Sequence, residues 1–313
     1  MTVLLWGLPG DDTLAAVHKE LVRLGVTVLF VDQRLVLETA VELTVGETVD
    51  GCISIGDVVT DLAGIAAAYL RPHDGTRVAA VRDEPPNSPA RRHAQEVGEV
   101  LSTWAEVSPA YVVNRPAASA SNGSKPAQLL AIAAVGFAVP ETLVTNDPDA
   151  VAEFATRHGS VIYKSTSGIR SRVQTLDADQ ELGDVRSCPT QFQRKVPGTD
   201  VRVHVVGAEI FATEIVSDAD DYRYASHQGL PRPQLSEIDL PAEVADRCRL
   251  LAHRLGLAVA GIDIRRTAAD EWYCFEVNPS PAFSYYEHWT GQPIATAVAG
   301  LLAAAVTCTQ VSR

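Results

Sequence analysis

Apolar and polar positions follow two rhythms along the chain, and their order predicts the fold. Residues 2–7 (TVLLWG) and 26–31 (VTVLFV) are short apolar runs, and between them 12–24 (DTLAAVHKELVRL) places its apolar side chains at helical spacing. This reads as strand, helix and strand, the second strand ending at Asp32. A further strand is expected at 66–71, then a Pro- and Gly-rich surface stretch from Pro72 to Pro89, then a helix from Pro89 to Trp104. After Val112-Val113-Asn114-Arg115-Pro116 a helix is expected over 127–135, stopped by Gly136. Next come a strand near 143, a helix over 148–158, a strand at 161–165, and a hairpin of 200–206 with 209–215 turning at Gly207-Ala208. Helices over 242–255 and 294–306 flank two more strands around Asp263 and Glu276. The pattern divides the chain at Asn114: 1–113 is an open α/β domain, 114–195 a second unit and 196–313 a third.

Composition narrows the function. The 313 residues suffice for two or three lobes with a cleft between them. A formal net charge of −13 and a pI near 5.0 argue against a protein that neutralises a nucleic-acid backbone over a broad surface. No signal-like N-terminus and no apolar run of roughly 18 residues occurs, so no membrane partner is expected and the cytoplasm is the expected location. Cys52, Cys188, Cys248, Cys274 and Cys308 show no metal-type spacing and read as reduced core thiols. The connection Leu8-Pro9-Gly10-Asp11-Asp12 has one glycine and no Lys-Ser/Thr pair, so it is neither a dinucleotide fingerprint nor a phosphate loop.

The chemistry concentrates further on. Asp263 lies in one strand, while Glu276 and Asn278 are two apart in the next and share a face. Two carboxylates and an amide oxygen are hard donors of the kind Mg²⁺ accepts alongside phosphate and water; the alternative is a buried Asp beside an Asn turn. Lys164 ends an apolar strand before Ser165–Arg172 (STSGIRSR), where its ammonium and the loop's N–H groups suit phosphate oxygens. It reads equally as an edge-strand lysine whose head reaches solvent. Arg170 and Arg172 would add to a cationic spot in an acidic chain. Asp200, Arg202 and His204 alternate on one face of the hairpin, and Arg223 follows. Each arginine suits an anion or a surface salt bridge, and His204 reads as a packing histidine. No Ser/His/Asp order, GxSxG elbow or Cys/His pairing supports an enzyme nucleophile.

In order, Asn114-Arg115-Pro116, Lys125–Leu129, Gly136-Phe137, Val139–Asp147, Phe192-Gln193, Asp200–Val203 and Phe275–Ser280 resemble the ATP-grasp superfamily over about residues 66 to 303. Within it the chain is similar to the ligases that glutamylate a ribosomal protein's tail and to the peptide-cyclising ligases of the microviridin or graspetide group. The resemblance implies an α/β N-terminal (pre-ATP-grasp) domain followed by two α+β lobes that hold ATP between them. It implies phosphate contacts from Lys125 and Lys164, and an adenine-facing hinge of Gln193, Arg194, Lys195 and Val196. Asp200 would lie near the ribose, with Arg202 and Arg223 on the γ-phosphate and acyl phosphate. Asp263, Glu276 and Asn278 would hold Mg²⁺, shared by a pair of ions. The implied reaction is attack of a carboxylate on ATP, giving ADP and an acyl phosphate that an amine or hydroxyl then opens. The substrate would be a peptide or small amino compound, and such relatives are commonly dimers or tetramers.

The alternatives are a graspetide-type ligase that crosslinks a precursor peptide, a kinase, and a nucleotide-binding module that has lost catalysis. Intact Lys164, Arg223, Asp263, Glu276 and Asn278 argue against the last. The chain departs from the family at Arg194, where an acidic residue is usual, and in its single loop glycine, Gly168. Nothing between Asp218 and Pro241 marks a leader-peptide site.

Overall fold

The computed structural model describes residues 1–165, 173–177, 180–217 and 229–311. The opening unit is β1 (Thr2–Gly7), α1 (Asp12–Arg23) and β2 (Val28–Asp32). α1 starts where the Asp11 carboxylate accepts the Leu14 N–H, and it buries Leu14, Val17 and Leu21 along one stripe. Then come three strands the sequence reading did not anticipate: β3 (Thr39–Val45), β4 (Val49–Ile55) and β5 (Val58–Asp61). They form their own antiparallel sheet, in which Val41, Leu43, Val49, Ile53 and Ile55 share the face that packs on the side of the helix Pro89–Val107, while Val45, Val58 and Val59 are exposed. β6 (Ile65–Arg71) returns to pair with β1, and α2 (Pro89–Val107), capped by Ser88, leads to β7 (Tyr111–Val113).

The first sheet has the order β2-β1-β6-β7 with every pair parallel. β1 is buried on both faces: Val3 and Leu5 join the α1 side, Leu4 and Trp6 the α2 side. The connections leave β1 and β6 on opposite sides of the sheet, so a topological switch point lies between the ends of these two strands.

After α3 (Pro116–Ser119) and α4 (Lys125–Ala133) come β8 (Thr142–Thr145), α5 (Pro148–His158), β9 (Val161–Ser165), β10 (Gln174–Thr175) and β11 (Thr190–Arg194). These strands form an antiparallel sheet, β10-β9-β11-β8. α5 covers one face through Val151 and Phe154, which meet Val161 and Phe192.

The third large sheet is built from β12 (Thr199–Val206), β13 (Glu209–Val216), β14 (Gln234–Ile238), β15 (Val259–Arg266) and β16 (Trp272–Asn278), in the order β14-β13-β12-β15-β16. α6 (Ala242–Arg254) precedes β15; with α4 it covers the face bearing Val201, Val203, Ile262, Ile264 and Val277. After α7 (Ser284–Thr290), α8 (Ile294–Val311) returns to the first sheet, where Ile294, Val298 and Leu302 pack with Leu5, Leu14 and Val17. Among the described residues, no helix is long and apolar enough to cross a membrane.

Two expectations need correction. None of the five cysteines forms a disulfide, but only Cys248 and Cys274 are buried; Cys188 and Cys308 are exposed and Cys52 is half-buried. Lys164 is not an edge lysine reaching solvent, because β9 lies inside its sheet and the residue is 6% exposed.

Candidate active site

The face of the β12–β16 sheet opposite α4 and α6 gathers the polar residues. Asp263 stands directly across from Glu276, and Gly261 across from Asn278. A register shift between Asp263 and Ile264 makes Phe275 an extra residue in β16. Without it, strict alternation would place Cys274 on the same face as Glu276. With it, Cys274 turns into the core, fully buried, while Glu276 and Asn278 keep the opposite face. Burial, more than neighbouring charge, pushes the Cys274 thiol well above its ordinary pKa, so it serves as packing.

On β12, Arg202 sits opposite Asp263 and its Nη1 donates to Asp263 Oδ1 at 2.7 Å. The Arg202 side chain is 8% exposed and the Asp263 side chain 36%, so a buried guanidinium meets a carboxylate open to the cleft, and this is not the surface salt bridge weighed as an alternative. It lies over Gly261, where a Cβ would collide with it. Its Nε donates to His204 Nε2 at 3.4 Å, and the Tyr286 ring flanks it at 5.8 Å. His204 packs against Tyr286 and Phe283. Burial and then the Arg202 charge hold its pKa well below 6.5, which keeps the ring neutral.

α4 docks against the outer edge of β16. Lys125 Nζ is 3.6 Å from Glu276 Oε2, so each of the two facing acids is matched by a cation, Glu276 by Lys125 and Asp263 by Arg202. One turn on, Gln128 Nε2 donates to the Val277 carbonyl at 2.8 Å and its Oε1 accepts the Val277 N–H at 3.1 Å. That amide acts as one more rung of the sheet, fixing the backbone between Glu276 and Asn278. Asn114 does the same for the next segment: its Nδ2 donates to the Val259 and Pro279 carbonyls, and its Oδ1 accepts the Ala258 N–H. Arg115 donates to four carbonyls between Ala105 and Ala110, closing the end of α2. The Asn114-Arg115 motif is thus architectural.

The β8–β11 sheet supplies the remaining residues. Phe192 points to α5, so Gln191, Gln193 and Lys164 share the other face, with Gln191 and Lys164 directly paired. Gln193 Nε2 donates to Thr142 Oγ1 at 2.9 Å. Arg194 donates to the Tyr273 hydroxyl at 3.0 Å, joining β11 to β16, and Lys195 reaches Thr175 Oγ1 at 3.3 Å. The Val196 carbonyl accepts from Arg265 Nη1 at 2.6 Å, and the same guanidinium binds Asp200 Oδ1 at 2.7 Å. Sequence reasoning missed Arg265; its alternation with Asp263 on β15 was the available signal.

Lys125, Arg202, Asp263, Glu276 and Asn278 therefore come together. Asp200 belongs to a separate pair two residues along β12, Lys164 and Gln193 stand on the other sheet, and Arg223, Arg170 and Arg172 lie outside the described residues. Among the described residues, no three His, Cys, Asp or Glu side chains converge. A metal here would need the Asn278 amide oxygen, which accepts the Ser280 N–H with one lone pair, and oxygens from outside the protein. Asp263, Glu276 and Asn278 fit Mg²⁺ on that basis, which commonly keeps water and phosphate in its shell. Beside them, Arg71 spans from Asp11 to Ser280 Oγ and the Pro281 carbonyl. It lines a cavity of about 490 Å³ with Gly10, Asp11, His73 and Ser284, at the switch point of the first sheet.

A parallel α/β sheet followed by an antiparallel sheet bearing Lys164 and Gln193 and a second bearing Arg202, Asp263, Glu276 and Asn278 is the architecture of an ATP-grasp fold. Residues 120–302 match the model of the RimK-like ATP-grasp domain, and the chain belongs to that family. The ribosomal protein bS6–L-glutamate ligase of Salmonella paratyphi B is 27% identical over 199 residues, 59% of this chain; the match spans 65% of that ligase. The ATP-grasp ligase PsnB, solved with a phosphomimetic variant of its minimal precursor, Mg and ADP, superposes with a TM-score of 0.81 at 28% identity, over 97% of this chain and 98% of PsnB. The macrocyclase MdnC of Microcystis aeruginosa MRC, bound with precursor peptide MdnA, has a TM-score of 0.81 at 23% identity, over 97% and 99% of the two chains, and shares the fold.

Proposed function

We propose that the chain is an ATP-dependent carboxylate–amine ligase that forms ADP and phosphate through an acyl phosphate. The observation that carries this reading is the interleaving of charges on one sheet face: Arg202 on Asp263, Lys125 on Glu276, with Asn278 beside them. Such a face suits the phosphate end of a magnesium nucleotide, whose anionic oxygens and cation it matches together. Lys164 and the segment Gln193–Val196 form the opposite wall, toward the base, and the pairing of Asp200 with Arg265 serves to brace that segment.

A substrate carboxylate oxygen bonds to the γ-phosphorus as the bond to the ADP oxygen breaks. The amine nitrogen then bonds to the acyl carbon, phosphate leaves, and the ammonium proton is lost to solvent. Arg202 neutralises charge on the transferring group while Lys125 and Lys164 hold the ATP phosphates, so no enzyme nucleophile is required. Mg²⁺, when held by Asp263, Glu276 and Asn278, supplies further positive charge against phosphoryl oxygens. We place the substrate in the Arg71 cavity beside Ser280, and we assign the three parts 1–113, 114–195 and 196–313 to substrate docking, base binding and metal binding.

A peptide-crosslinking ligase is the second reading. It is favoured because the whole chain, 97%, superposes on PsnB, solved with its precursor, whereas the glutamate ligase is matched over 65% of its length. ADP release should require both a carboxylate and a nucleophile, and hydroxylamine should trap the acyl phosphate. Full turnover by Glu276→Gln or Asn278→Ala would overturn the metal assignment. Ester or amide crosslinks in a precursor peptide, found by mass spectrometry, would select the second reading.

A further inference from the structure

Gln191 is 1% exposed, and neither its Nε2 nor its Oε1 has a hydrogen-bond partner among the described residues. A fully orphaned buried amide is costly, and in native proteins it calls for an explanation. Its position supplies one. Gln191 is the direct cross-strand partner of Lys164 and lies two residues from Gln193, on the face turned away from the α5 core.

Gln193 has a defined direction. The Thr142 hydroxyl donates to the Pro140 carbonyl and accepts from Gln193 Nε2, so Gln193 Oε1, also without a partner among the described residues, faces away as an acceptor. Gln191 offers one donor and one acceptor side by side. An amide of this kind pairs two-for-two with the N6–H and N7 edge of adenine, whereas the O6 and N7 edge of guanine presents two acceptors and defeats it.

Resting on the nucleotide reading above, we propose that Gln191 is the residue that selects adenine: Nε2 donates to N7 and Oε1 accepts from N6–H. A second consequence separates this role from packing. Because the amide has no partner among the described residues, replacing it with leucine removes a polar burial cost while keeping most of the volume.

The test uses the full chain, wild type and Gln191→Leu, titrated with ADP and with GDP in Mg²⁺ buffer by calorimetry, together with the thermal midpoint of each protein without nucleotide. The expected result is that Gln191→Leu weakens ADP binding by at least about fivefold, the lower end for loss of a two-bond amide–adenine contact. GDP binding stays unchanged, and the nucleotide-free midpoint is equal or higher. Gln191→Glu, with acceptors only, should lose ADP affinity as well. Equal weakening of ADP and GDP, unchanged ADP affinity, or a lowered nucleotide-free midpoint overturns the assignment of Gln191. Wild type that binds neither nucleotide overturns the ATP-grasp ligase reading and this assignment with it.

Discussion

Replacing Gln128 with leucine tests how far the acidic strand depends on a helix side chain. β16 is an edge strand, so the outward N–H and C=O of Val277 have no sheet partner and, among the described residues, pair with Gln128. Gln128 is 2% exposed, so water does not replace it. Leucine fills nearly the same volume but leaves two buried backbone groups unpaired. At about 1–3 kcal/mol for each group, less the gain from burying an apolar side chain, the net loss is about 2–4 kcal/mol. That lowers the urea midpoint by about 1 M, followed by tryptophan fluorescence without nucleotide. Because Val277 lies between Glu276 and Asn278, the Mg²⁺ concentration for half-maximal ADP formation should rise several-fold. Gln128→Glu keeps the acceptor and loses the donor, so it should fall between the two. A midpoint unchanged within about 0.2 M, or a lower midpoint with unaltered Mg²⁺ dependence, would refute the claim that this amide positions the acidic residues.

Gly261→Ala drives a methyl into the Arg202 guanidinium and Pro281, so it should cost about 1–3 kcal/mol in thermal or urea unfolding and reduce ADP formation more than tenfold. His204 stays neutral when folded but takes a proton near pH 6.5 when unfolded, so below that pH the unfolded state binds the extra proton and stability falls. The slope from this residue approaches 1.4 kcal/mol per pH unit at about pH 5–6, and His204→Gln should flatten it in urea midpoints measured across pH 5–8. Iodoacetamide on the native protein should label Cys188 and Cys308 and spare Cys274 and Cys248, whose thiol burial pushes up to about 12; peptide mass spectrometry reads the pattern.

The sequence made the chemistry-bearing residues legible where strand alternation carried them. Asp263, Glu276 and Asn278 needed only two strands and a period of two to be placed together, and Lys164 with Phe192-Gln193 stood out as motif fragments. Other residues stood in the quoted motifs, but their roles were hidden because they arise from side-chain contacts with strands far away in the chain. Gln128 meets Val277 across 149 positions and Asn114 meets Pro279 across 165. The extra residue Phe275 leaves no local signature, since a regular strand there would read the same. β3 and β4 do alternate, with Val41, Leu43, Val49, Ile53 and Ile55 on the packed face, but most of that face is only half-buried and the adjacent Val58 and Val59 of β5 are both exposed, which weakens the contrast that periodicity detects. Gln191 reads as an ordinary polar strand residue until its burial and its neighbours are known.

The return of α8 to the first sheet has a mechanical consequence. Leu5, Leu14, Val17, Val206, Phe211, Val259, Val298 and Leu302 form one continuous core, so the first and last stretches of the chain are a single foundation that already includes the acidic strands. The β8–β11 sheet has its own small keel of Val151, Phe154, Val161 and Phe192, and it bears on that foundation through the Ala138–Tyr273 and Arg194–Tyr273 contacts and the Val196–Arg265 bond. The middle of the chain is therefore a separately cored unit that carries Lys164 and Gln191, joined to a base made from the chain's two ends by polar contacts as well as by backbone.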